Sequence, residues 1–153
     1  NAGGFNKMVY APYRSMAELP VPAGDDTALG RRVYMASCAP CHQANGMGMA
    51  GQFPPLAGSE WVLTPGPGRA IRIVLDGVAG PMEVRGVHYN NAMVPWRDNL
   101  SDEEIAAVVT FIRNEWGNQA SKVTPEQVAE LRAATAGRGT YTAEELLRLP
   151  DTE

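Results

Sequence analysis

Much that would define a protein of this size is scarce here. In 153 residues there are only two cysteines and two histidines, and aromatic residues make up 7%. So few cysteines exclude a disulfide-rich scaffold. Lys and Arg number 13 against 17 acidic residues, giving a net charge of −4 without a basic cluster, which excludes nucleic-acid binding through a basic face. No apolar run reaches the roughly eighteen residues that a membrane-spanning helix needs. No basic stretch followed by an apolar one opens the chain, so a signal peptide or anchor is expected to have been removed or omitted. Strand signals are almost absent, and no internal repeat is visible. What remains is 44% hydrophobic and 20% charged, the mix of a soluble folded protein. Its acidic balance favours a positive patch on any partner met by charge steering.

The two cysteines are not scattered. They stand in Cys38-Ala39-Pro40-Cys41-His42, and Cys-x-x-Cys-His is the signature of covalent c-type haem attachment. That spacing at the end of a helix lets both sulfurs face one plane, where each can form a thioether to a haem vinyl group while His42 ligates the iron. A redox Cys-x-x-Cys expects a strand before it, whereas here a helical pattern precedes. A structural zinc site needs four Cys or His ligands, and only the distant His88 is left to help.

Residues 1–25 read as an extended N-terminal arm, interrupted by Pro12, Pro20 and Pro22. Asp25 and Asp26 can cap a helix from about Thr27 to Ser37, with Leu29, Val33 and Tyr34 on its apolar side. Gly30 inside it costs about 1 kcal/mol against Ala, which suggests that another helix crosses closely there. After the haem motif comes a glycine-rich loop to Gln52, then an extended turn at Pro54-Pro55. Ser59 can cap a short helix carrying Trp61, broken at Thr64-Pro65-Gly66-Pro67-Gly68. A helix from about Arg69 to Asp76 follows, closed by Gly77. Gly80 to Asn91 reads as loop, with a short extended piece around Glu83 to Val87. Ser101-Asp102-Glu103-Glu104 is a capping box opening a helix whose stripe runs from Ile105 to Trp116, closed by Gly117. Two more boxes, Thr124 to Gln127 and Thr142 to Glu145, predict two short helices in the tail. The fold class is all-α, with an arm at 1–25, a central domain at 26–121 and a C-terminal helical extension at 122–153.

The iron of such a haem needs a sixth ligand or an open position. A thioether is soft and raises the reduction potential. Among seven methionines, Met93 stands out by its setting in Tyr89-Asn90-Asn91-Ala92-Met93-Val94-Pro95-Trp96, just before the capping box. Met47 and Met49 are too close to His42 to reach the opposite face. Met82 is a weaker candidate and His88 the main rival.

Taken together, residues 27 to 120 resemble the class I cytochromes c, and more closely the bacterial monohaem domains found alone or fused to dehydrogenases and oxidases. Gly30, Tyr34 and Cys38 have that family's helix spacing, and Val108, Val109, Phe111 and Ile112 fit the crossing helix. Pro54-Pro55-Leu56-Ala57-Gly58 is similar to the family's Pro-x-Leu-x-Gly turn, which implies that the Pro54 carbonyl orients His42. Val87 to Trp96 is similar to its methionine loop, although Val94 intervenes before the proline that commonly follows the ligand. By the same resemblance Trp61 would bond a haem propionate, and Arg72 and Tyr89 could neutralise or bond one.

The resemblance implies one haem c, electron transfer rather than catalysis, and a periplasmic or membrane-associated place. Implied partners are a dehydrogenase, an oxidase or a membrane respiratory complex. Two other classes stay open at this point: a haem protein that binds or senses a gas, and a small peroxidase needing an open site with distal His or Arg groups.

Overall fold

A computed structural model of the chain describes residues 26–153; the arm at 1–25 and the cap at Asp25 lie outside the described residues. The elements in chain order are α1 (Asp26–Val33), a π-helical segment (Tyr34–Cys38), α2 (Ala39–His42), α3 (Gly68–Asp76), β1 (Val78–Ala79), β2 (Met82–Val84), β3 (Val87–Tyr89), α4 (Asp102–Ile112), α5 (Pro125–Ala134), β4 (Tyr141–Thr142) and α6 (Ala143–Arg148).

The frame is the crossing of α1 and α4. A Cβ on Gly30 would sit against the Ala107 carbonyl and 2.8 Å from the Phe111 Cβ. The glycine is therefore a point where two backbones touch, and its poor helix propensity is offset by packing. Val33, Tyr34, Ile71, Leu75, Ile105, Val108 and Val109 fill the core around this crossing.

Three expectations change. The α4 stripe does not run to Trp116, because the helix ends at Ile112, whose carbonyl accepts from the Asn118 Nδ2 at 2.8 Å. The chain then turns through Trp116 at φ 56° and Gly117 at φ 87°. This turn lays the Trp116 ring 5.0 Å from Tyr34 and 5.8 Å from Phe111. Ser59 opens one turn rather than a helix: its carbonyl accepts from Val62 and Leu63, and its Oγ from the Trp61 amide. Pro65 and Pro67 then forbid continuation. The extended piece at 83–87 is a true hairpin, with Met82 opposite Tyr89 and Val84 opposite Val87, so the mostly helical fold also carries small strands.

All three capping boxes form. The tail, however, is no loose appendage. Val123 and Val128 join the main core. β4 pairs in parallel with β1, Val78 against Tyr141, and Tyr141 and Leu146 anchor a second apolar cluster with Trp61, Val78, Val84 and Tyr89. No described helix is long and apolar enough to cross a membrane.

Candidate haem site

The attachment motif owes its shape to Pro40. A proline has no N–H to give the carbonyl four residues back, so a regular α-turn through the motif would lack a bond. The helix widens to a π-turn over Tyr34–Cys38 and resumes as α2 with Pro40 in its first turn. Cys38 is partly buried, Cys41 exposed and His42 buried. Gln43 leaves the helix at φ 67°, and its carbonyl accepts the Tyr34 hydroxyl.

The loop after the motif folds back on itself to meet His42. The Gly48 amide donates to the His42 carbonyl at 2.9 Å, and the Leu56 amide reaches the Gly46 carbonyl at 2.7 Å. Gly48, at φ 63°, packs so tightly on the Phe53-Pro54 backbone that a Cβ there would lie 2.7 Å from the Pro54 carbonyl carbon. This close approach fixes the Pro54 carbonyl 2.8 Å from the Nδ1 of His42. A carbonyl can only accept, so Nδ1 carries the hydrogen and the lone pair is left on Nε2. Burial lowers the His42 pKa and outweighs the opposing Pro54 bond, so the net shift favours the neutral imidazole. Burial, with Cys41 beside it, pushes the free Cys38 thiol up to about 12.

Met93 lines the same cleft as His42. Its amide donates to the Val78 carbonyl at 2.8 Å. Its own carbonyl lies where a Cβ on Gly77 would be, so the φ of 73° and the missing side chain at Gly77 are both needed. The next residues follow the end of α3, Trp96 bonding Val74 at 2.9 Å and Arg97 bonding Leu75 at 3.1 Å. Asn91 Nδ2 donates to the Gln52 carbonyl at 3.0 Å, tying the loop that carries Met93 to the loop that follows the haem motif.

This cleft encloses about 1170 Å³, its open mouth included. Cys38, Cys41, His42, Pro54, Met82 and Met93 line it, with Phe53, Leu56, Val62, Val74, Val78 and Ile112 supplying apolar surface. A wide apolar cleft with two thiols, a neutral imidazole and thioethers on its walls fits a flat apolar macrocycle holding a metal.

The other expected residues fare differently. Trp61 and Tyr89 are buried and line the cleft, and the Trp61 Nε1 donates to the Glu83 carbonyl at 2.8 Å. Arg72 is no part of the lining; it grips Glu153 through Nε and Nη2 and gives Nη1 to the Tyr141 hydroxyl at 2.9 Å. A carboxylate far along the chain thus holds this guanidinium. His88 is exposed on β3 opposite Glu83 and does not line the cleft. Met47 and Met49 are exposed and also outside the lining. Sequence reasoning missed Arg113 and Asn118. Arg113 is fully buried and donates to the Val62, Thr64 and Ser121 carbonyls at 2.7, 3.0 and 3.1 Å. Asn118 accepts from the Gly58 amide at 2.8 Å and donates to Leu56 at 3.1 Å. No local pattern marks either, since their partners are distant in sequence.

Comparison with known proteins points the same way. The family profile described as cytochrome c matches residues 27–116. Cytochrome c-552 of Thermus thermophilus is 45% identical over 113 residues, covering 68% of this chain and 84% of that protein. The cytochrome c subunit of the quinone alcohol dehydrogenase of Gluconobacter oxydans is 37% identical over 108 residues, covering 70% of this chain and 22% of that subunit. The gluconate 2-dehydrogenase cytochrome c subunit of Pantoea cypripedii is 39% identical over 114 residues, covering 71% of this chain and 25% of that subunit.

Proposed function

The chain belongs to the cytochrome c family, and from that premise we propose that it passes electrons singly between respiratory redox proteins outside the cytoplasm. The family carries covalently attached haem c, and Cys38, Cys41 and His42 stand at the attachment spacing. When bound, that haem supplies one iron that alternates between ferrous and ferric. The chain's own residues then decide what the iron can do.

The observation that carries the reading is the pairing of His42 and Met93 on the walls of one cleft. His42, oriented by Pro54, has Nε2 to offer, and Met93, its backbone pinned to Val78, has a thioether to offer in the same cleft. His42 and Met93 would hold the iron between them when haem is bound, which would leave no site for a gas or a substrate and only an electron to exchange. The donor loses one electron, the acceptor gains one, and no bond forms or breaks in this chain. The cytochrome c subunits of dehydrogenases among its relatives support a dehydrogenase as donor, with a membrane respiratory complex as acceptor.

Partners would dock on the apolar surface beside the cleft, where Met47, Met49 and Val94 are 50%, 46% and 60% exposed. Small contacts of this kind suit brief redox encounters. The domain limits support the same picture: residues 26–121 hold the cleft, and 122–153 brace it.

A visible spectrum of the oxidised and reduced haem protein, with and without cyanide and CO, tests the reading. The expected result is a far-red sulfur-to-iron band in the oxidised form and no CO adduct on reduction. Ready CO binding by the ferrous form would instead indicate a gas-binding protein.

A further inference from the structure

Met93 sits on a segment that the C-terminal tail grips on both flanks. Upstream, Val78 accepts the Met93 amide on one edge and pairs with Tyr141 on the other, and the Tyr141 amide also donates to the Gly77 carbonyl at 3.1 Å. Val78 is thus the middle of a three-stranded contact whose outer members are Met93 and the tail. Tyr141 and Leu146 are buried in the cluster against which Met93 packs. The Tyr141 ring is held from two sides, its hydroxyl by Arg72 and its face by the Arg138 guanidinium, 3.6 Å from the ring centre.

Downstream, Arg97 clamps the buried Asp76 with two bonds of 2.8 Å and reaches the Arg132 carbonyl at 2.9 Å and the Thr135 side chain. Arg132 returns the contact, donating to the Arg97 carbonyl at 2.6 Å, the Leu100 carbonyl at 2.8 Å and Asp102 at 2.7 Å. Charge-assisted bonds of this kind are the stronger ones. The Tyr141 contact reaches Met93 through Val78, and the Arg132 contact ends on the Arg97 and Leu100 carbonyls further along the same segment.

We propose that Tyr141 and Arg132 are positioning residues for Met93: the tail holds the methionine segment from both ends and sets how readily its thioether leaves the iron. This rests on the reading of Met93 as the sixth ligand. An axial ligand on an irregular segment leaves by local opening, whose free energy depends on contacts that open with it. Two independent tail contacts on that segment raise this free energy without altering the ligand.

The test uses the full haem-loaded chain and follows cyanide binding to the ferric form, the far-red sulfur-to-iron band and a denaturant melt. Arg132→Met and Tyr141→Ala are made separately, with Ile105→Val in α4 as a control that weakens the core away from Met93. Each tail variant should bind cyanide about tenfold faster, the scale of one lost charge-assisted bond, with a weaker far-red band, while the control leaves both readouts unchanged. Cyanide rates unchanged in Arg132→Met and Tyr141→Ala, or raised equally in the control, would overturn the proposal. If Tyr141→Ala does not fold, Arg132→Met decides alone, since that side chain is partly exposed. Met93→Ala is run beside them. A far-red band that survives it would refute the ligand reading itself, whereas a band lost there but untouched in both tail variants would refute only the role of the tail.

Discussion

Gly30 and Phe111 are as close as two helices permit: a Cβ placed on the glycine would lie 2.8 Å from that of the phenylalanine and against the Ala107 carbonyl. Ala in place of Gly in a helix interior normally gains about 1 kcal/mol. Here the obstacle is backbone, which cannot swing aside. Gly30→Ala should therefore destabilise in spite of its propensity, and Gly30→Val should cost roughly 1–3 kcal/mol through overpacking. Denaturant melts check this, and a stabilised Gly30→Ala would mean that α1 and α4 part easily.

Met93→Ala should remove the far-red band and lower the reduction potential, because a thioether ligand raises it. Met82 is the sharper comparison, since it too lines the cleft. Met82→Ala and His88→Ala should leave band and potential as they are. Loss of the band in Met82→Ala with Met93→Ala intact would transfer the ligand role to β2.

Arg113 is a buried cation with no carboxylate partner among the described residues, its charge spread over carbonyls of the 62–66 turn and Ser121. Burial lowers its pKa, yet a guanidinium stays charged at any ordinary pH. Arg113→Met would strand those buried carbonyls, at a cost of about 3 kcal/mol if two go unpaired. Arg113→Lys should rescue little, because a single ammonium cannot fork between Val62 and Ser121. Urea denaturation of both variants tests this; a lysine variant as stable as the parent would refute the forked geometry.

Met49→Lys and Val94→Lys should slow reduction by the native donor while leaving spectrum and potential unchanged, since both side chains are exposed and Met49 lies outside the cleft lining. Stopped-flow rates as a function of salt separate a lost apolar contact from altered steering. Equal rates in all three proteins would place docking elsewhere.

What could be read from the sequence was local. Cys38 to His42 is one contiguous motif, and each capping box is complete within four residues, as with Ser101 and Glu104. Gly30 was legible because a glycine inside a helical stripe needs a reason. The unread parts rest on partners far apart in the chain. Nothing local foresees Glu153 beside Arg72, nor the Glu83 carbonyl that the hairpin brings to the Trp61 ring nitrogen. The end of α4 depended on Asn118 reaching back to Ile112, a contact that no periodicity encodes.

The parallel pairing of Val78 with Tyr141 also sets an order of events. It closes a long stretch of chain with only two residues per strand, so its entropic cost falls due before much is gained in return. The crossing of α1 with α4 and the capped helices can form from nearer contacts, and the ladder is expected to close after them. Until it does, Trp61, Val78, Val84 and Tyr89, which line the cleft, lack the backing of Tyr141 and Leu146. Closure of the ladder is thus expected to be the late step that firms this wall of the cleft.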